Sequence, residues 1–113
     1  MSLLLAKGAE VNAPDGGGAT PLYVAAINGG AAAISLLLAH GADINAQETE
    51  SGNTALYAAA SLGREEVAAL LLERGADPNL RNKTGASPLH AAVANGFDSI
   101  AAKIRAKGGR DTR

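Results

Sequence analysis

Gly8-Ala9-Glu10-Val11-Asn12, Gly41-Ala42-Asp43-Ile44-Asn45 and Gly75-Ala76-Asp77-Pro78-Asn79 are three copies of one phrase, starting 33 and then 34 residues apart. A worn fourth copy, Gly108-Gly109-Arg110-Asp111, follows after another 33. A second phrase keeps the same register: Thr20-Pro21-Leu22-Tyr23, Thr54-Ala55-Leu56-Tyr57 and Ser87-Pro88-Leu89-His90. A third marker, Gly29, Gly63 and Gly96, stands nine residues after each Thr or Ser. Three markers in one register identify an internal repeat, the signature of a stacked array.

Each phrase has a mechanical meaning. Thr20, Thr54 and Ser87 are N-cap residues, whose hydroxyls accept from the free N–H groups at a helix start. Pro21 and Pro88 follow at the first helical position, where no N–H is needed. Leu22, Ala25 and Ala26 then fall at i, i+3 and i+4 and form one apolar stripe on a short helix. Gly29, Gly63 and Gly96 end these helices, because glycine adopts the left-handed conformation at little cost.

A second helix follows in each repeat. Its stripe is expected at Ala33, Leu36 and Leu37 and at Val67, Leu70 and Leu71, with Gly41 and Gly75 as terminators. Glu65 and Glu66 suit the positive end of the helix dipole, and His40 suits the negative end of the helix before it. Helices this short fall below the roughly 12–15 residues at which an isolated helix begins to hold. They must stack on neighbours. The turns between Asn and the next cap are Gly-rich or polar, as in Asp15-Gly16-Gly17-Gly18 and Asn82-Lys83-Thr84-Gly85. The middle turn is one residue longer, since Thr54 lies nine residues after Asn45 but Thr20 and Ser87 lie eight after Asn12 and Asn79. It is expected to bulge outward around Glu48-Thr49-Glu50.

Composition agrees with this plan. Hydrophobic residues make up 47% of the 113 but aromatics only 3%, so the core is built from Leu, Ala, Ile and Val. The net charge of −1 gives no global field directed at nucleic acid or an acidic membrane. With no Cys there is no disulfide, thiolate zinc site or cysteine nucleophile. Apolar runs are broken well before the ~18 residues needed to span a bilayer. The opening Met1-Ser2-Leu3-Leu4-Leu5-Ala6-Lys7 does not have the form of a signal peptide. These features together give the expectation of a cytoplasmic domain.

The three markers together resemble the ankyrin repeat family, whose signature is a turn, Thr-Pro-Leu-His, two antiparallel helices and a Gly-Ala-Asp-x-Asn loop. Tyr23 and Tyr57 depart from the His of that signature, and Ala55 departs from its Pro. The resemblance implies an all-α, ankyrin-type helix-turn-helix solenoid with short β-turn or hairpin loops. It divides the single domain 1–113 into a trailing half-repeat 1–13, repeats 14–46 and 47–80, and a C-terminal capping repeat 81–113. At the start, Leu3-Leu4-Leu5-Ala6-Lys7-Gly8 matches Leu36-Leu37-Leu38-Ala39-His40-Gly41. Lys103-Ile104-Arg105 stands where Leu70-Leu71-Leu72 stands one repeat earlier, and charging those positions is what a terminal repeat needs to face water.

The resemblance also implies a function: binding another protein through the concave face of turn tips and first helices. Carried over by position, that face comprises Gly16, Gly17, Ala19, Ile27, Asn28, Asn53, Ser61, Leu62, Lys83, Thr84, Ala86, Ala94 and Asn95. Ile27 and Leu62 are its sizeable apolar members, and the partner is not specified. Tyr23, Tyr57 and His90 are read as props for the turns through their polar tips, with aromatic contact as the alternative for the two tyrosines. The alternative is a structural or self-assembling unit, a fragment or an engineered piece, associating as a homo-oligomer through the uncapped end at Leu3, Leu4 and Leu5.

Other chemistries are not expected. Gly16-Gly17-Gly18 lacks the GxxxxGK[ST] pattern of a phosphate loop. Two His without Cys are poor evidence for metal. The basic tail of Lys103, Arg105, Lys107, Arg110 and Arg113 lacks stacking aromatics for nucleic acid. No triad or carboxylate dyad is legible. The reading is of a non-enzyme without cofactor or metal.

Overall fold

In a computed structural model, residues 19–109 are described. They form six helices: α1 (Pro21–Asn28), α2 (Ala31–Ala39), α3 (Ala55–Leu62), α4 (Glu65–Glu73), α5 (Pro88–Ala94) and α6 (Asp98–Ala106). No strand forms among the described residues. Within each pair the helices pack on each other, and successive pairs stack so that α1, α3 and α5 make one layer and α2, α4 and α6 a second. The expected all-α solenoid is the fold.

The first helices start where the hydroxyls dictate. Thr20 Oγ1 accepts from the Tyr23 N–H (3.3 Å), Thr54 Oγ1 from Tyr57 (3.1 Å) and Ser87 Oγ from His90 (3.2 Å). Their ends pass into left-handed glycine, with φ of 73° at both Gly29 and Gly63. The second helices are capped at their C-termini by His40, Arg74 and Lys107. All three carry basic side chains at the negative end of the helix dipole.

The loop phrase divides its labour. Gly41 and Gly75 turn the chain at φ of 93° and 92°. Asp43 and Asp77 carboxylates each accept the N–H two residues on, at 3.0 and 2.9 Å. Asn45 Oδ1 then accepts from the Asp77 N–H of the next repeat at 2.8 Å. The Asp shapes its own turn, and the Asn joins it to the neighbour.

One expectation about packing is corrected. The buried arc of the second helices is shifted by one residue: Ile34 and Leu37, and Val67, Ala68, Leu71 and Leu72, are buried. Leu36 is 44% exposed and Leu70 half-buried. The position shared by Leu36 and Leu70 lies on the side toward the preceding repeat, where Leu70 lines a recess between α2 and α4. Arg105 is exposed, but the Lys103 ammonium turns back to Glu65 at 3.3 Å, and Val93 is 45% exposed where its equivalents Ala26 and Ala60 are buried.

The longer middle turn does put Thr49 and Glu50 into solvent, but Glu48 points inward and is 7% exposed. Its carboxylate accepts from the N–H groups of Glu50 (3.2 Å), Ser51 and Asn53 (3.2 Å). In the shorter turn Asn82 does this work, its Oδ1 accepting from Thr84 (2.9 Å) and Ala86 (3.0 Å). One extra residue widens the turn, and the longer Glu side chain spans it.

Candidate protein-binding face

The first-helix layer is the candidate face. Helices α1, α3 and α5 contain no Asp, Glu, Lys or Arg, nor does α2; α4 and α6 carry six such residues, Glu65, Glu66, Glu73, Asp98, Lys103 and Arg105. Core formation uses Leu22, Ala25 and Ala26 of α1 and Leu56, Ala59 and Ala60 of α3. Tyr23, Val24 and Ile27 of α1 and Tyr57, Ser61 and Leu62 of α3 keep exposed surface.

Between α1 and α3 lies an open recess of about 170 Å³ lined by Tyr23, Ile27, Asn53, Tyr57, Ala58, Ser61 and Leu62. It brings together four of the residues expected from sequence: Ile27, Asn53, Ser61 and Leu62. Tyr23, Tyr57 and Ala58 were not among them. Their signal is nonetheless in the sequence, because Tyr23 and Ile27, and Tyr57 and Ser61, are spaced i, i+4 on one helix face. Tyr23 serves both roles, as a wall of the recess and as a prop, its Oη accepting from Asn53 Nδ2 at 3.4 Å.

Hydrogen bonds to neighbouring repeats tie the recess down. Asn53 Oδ1 accepts from Asn82 Nδ2 at 2.9 Å, so Tyr23, Asn53 and Asn82 form a relay through three successive repeats. Arg64 Nε donates to the Ile27 carbonyl at 3.0 Å, and Asn95 Nδ2 donates to the Ser61 carbonyl at 3.1 Å.

The remaining expected residues fall elsewhere. Lys83 and Thr84 are exposed at a turn tip, where the Lys83 ammonium donates to the Thr49 carbonyl. Asn28, Ala94 and Asn95 are exposed at the ends of first helices, and Ala19 is half-buried before α1. Ala86 is 4% exposed, packed beneath its turn, and offers no side-chain surface; its inclusion is corrected. Gly16 and Gly17, with Leu3, Leu4 and Leu5, lie outside the described residues.

Among the described residues no helix is long and apolar enough to cross a membrane. No group of three or more His, Cys, Asp or Glu gathers among them either. A family model described as ankyrin repeats in three copies matches residues 1–82. That span takes in the α1–α2 and α3–α4 pairs, while α5–α6 lies beyond it and continues the stack. The comparison with curated proteins gives no match.

Proposed function

Because this chain belongs to the ankyrin repeat family, we propose that it binds a partner protein through the first-helix layer and the turn tips. Ankyrin repeats are in general protein–protein interaction modules. The observation that carries the reading here is the recess between α1 and α3. Two tyrosines, Ile27 and Leu62 surround a surface free of charge, on helices fixed by bonds between repeats. Tyrosine is among the residue types that dominate binding energy at interfaces. Ile27, Asn53, Ser61 and Leu62 form the centre of the proposed site, and Asn28, Lys83, Thr84, Ala94 and Asn95 extend it.

Affinity capture with three forms of the chain tests this. Wild type and Glu66→Lys, altered on the second-helix layer, should retain the same proteins, while Ile27→Glu/Leu62→Glu should lose them. Capture unchanged by the double substitution would refute the proposed face.

A second reading, self-association at the N-terminal side, is favoured by the exposure of Val24 and Leu36. Their equivalents Ala58 and Leu70 face the preceding repeat, lining recesses shared with it. Light scattering over a concentration series decides: mass that rises with concentration and falls on Leu36→Glu supports assembly, and a constant monomer mass removes it.

A further inference from the structure

Building on the protein-binding reading above, we infer that the Arg64 guanidinium, beside the recess between α1 and α3, takes a carboxylate from an Asp or Glu side chain of the partner protein. Arg64 reaches that place by crossing a repeat boundary. Its Nε donates to the Ile27 carbonyl at 3.0 Å, and its stem lies over Gly29. Ile27 lines the recess from α1, and Leu62, close before Arg64 in the chain, lines it from α3. The cation therefore stands next to apolar surface without being part of the lining.

The guanidinium is exposed, and among the described residues no carboxylate pairs with it. With Nε taken by Ile27, the N–H groups of both terminal nitrogens are left, and together they match the two oxygens of a carboxylate approaching end-on. The acids nearest in sequence are directed elsewhere. Glu65 is tied to Ser99 and Lys103 of the next repeat, and Glu66 lines the recess between α2 and α4. Stacking by itself does not call for a charge here. The position of Arg64 is held by Gly30 in the preceding repeat and by Phe97 in the following one, where an uncharged ring covers Gly63. The stem of Arg64 does the same for Gly29, and its charged head is surplus to that packing. Because the bond to Ile27 already restrains the side chain, little freedom is lost on binding. Ile27 and Leu62 would shield a pair formed beside them from water, which strengthens it. Phosphate-bearing motifs are recognised by clusters of Arg; a single guanidinium beside helices without Lys or Arg suits a carboxylate.

The test is selection of a displayed library of random peptides on the intact chain. Selected peptides are then titrated as synthetic samples, beside copies in which each Asp or Glu is replaced by its amide. The expected consensus sets an acidic residue next to apolar ones. On wild type the amide copy should bind about tenfold more weakly, the scale of a close charge pair at an interface. On Arg64→Gln the acid and amide copies should bind alike, and Arg64→Lys, which keeps the charge but not the fork, should fall between. The Kd of the acidic peptide should also rise between roughly 0.05 and 0.5 M NaCl. Where Arg64→Gln lowers the Tm, Arg64→Phe repeats the comparison with Gly29 covered as Phe97 covers Gly63. Peptides that need Ile27 and Leu62 but bind equally as acid and amide would overturn the carboxylate and leave the binding face standing. A preference for the acid that survives Arg64→Gln would overturn the role of Arg64. Peptides that bind Ile27→Glu/Leu62→Glu and the Arg64 variants as well as wild type would overturn both readings. A library yielding no Arg64-dependent peptide would overturn the inference.

Discussion

The ring of Phe97 occupies the space that a side chain at Gly63 would fill: a Cβ there would stand 2.8 Å from both Cε1 and Cζ of the ring. The same relationship joins Arg64 to Gly29, with a Cβ at 29 standing 3.3 Å from Arg64 Cδ. In each case the residue before a second helix covers the glycine that ends a first helix one repeat earlier. Gly63 is thus required twice, by its φ of 73° and by the neighbour lying on it.

Gly63→Ala should therefore destabilise more than Gly75→Ala, which has φ of 92° but nothing within 4 Å of its Cβ. The Gly75 variant should lose about 1–2 kcal/mol for a left-handed alanine. The Gly63 variant should lose that and the steric cost, and Phe97→Ala should recover part of the difference. Urea unfolding of the singles and the double measures it; equal losses at the two glycines would contradict the packing.

Glu48→Ala should destabilise by about 1–3 kcal/mol, because it leaves three turn N–H groups without their acceptor. Glu50→Ala, at an exposed neighbour, should stay within about 0.5 kcal/mol. Equilibrium denaturation compares the two, and similar values would show that the inward carboxylate does not hold the turn.

Leu71 of α4 is fully buried, and Leu71→Ala should lose about 2–5 kcal/mol. Leu36→Ala, one repeat earlier and on the exposed side of its helix, should lose clearly less. Matching losses would restore the stripe first read from the sequence.

The Ser99 hydroxyl, and after it the Lys103 ammonium, hold the Glu65 carboxyl below the ordinary carboxylate range. A pKa depressed in the folded state gives stability that is present above the unfolded value and lost as pH falls through the folded one. The Tm of wild type should exceed that of Glu65→Gln at neutral pH by a small margin, since the cluster is exposed. The margin should close on acidification; a margin independent of pH would contradict it.

The repeat was legible because its markers are local. Caps at Thr20, Thr54 and Ser87 and left-handed glycines at 29, 41, 63 and 75 are set by the chemistry of single residues and their near neighbours. The candidate site was half legible. Ile27, Asn53, Ser61 and Leu62 follow from register, whereas for Tyr23 and Tyr57 the sequence favours support of the turn and leaves partner contact open, because a single helix does not reveal which groove its ring will border.

By itself the sequence determined the helix pairs, their order and their starts and stops, since hydrogen bonds of a few residues' reach decide those. The tertiary structure decided which side of each second helix is buried, that Glu48 turns inward, that Ala86 is hidden and that Phe97 covers Gly63. The covering of Gly63 by Phe97 and the tie between Tyr23 and Asn53 depend on residues about 30 positions apart meeting in space. Such meetings follow from how one repeat packs on the next, a sum over the whole interface that no single residue type encodes.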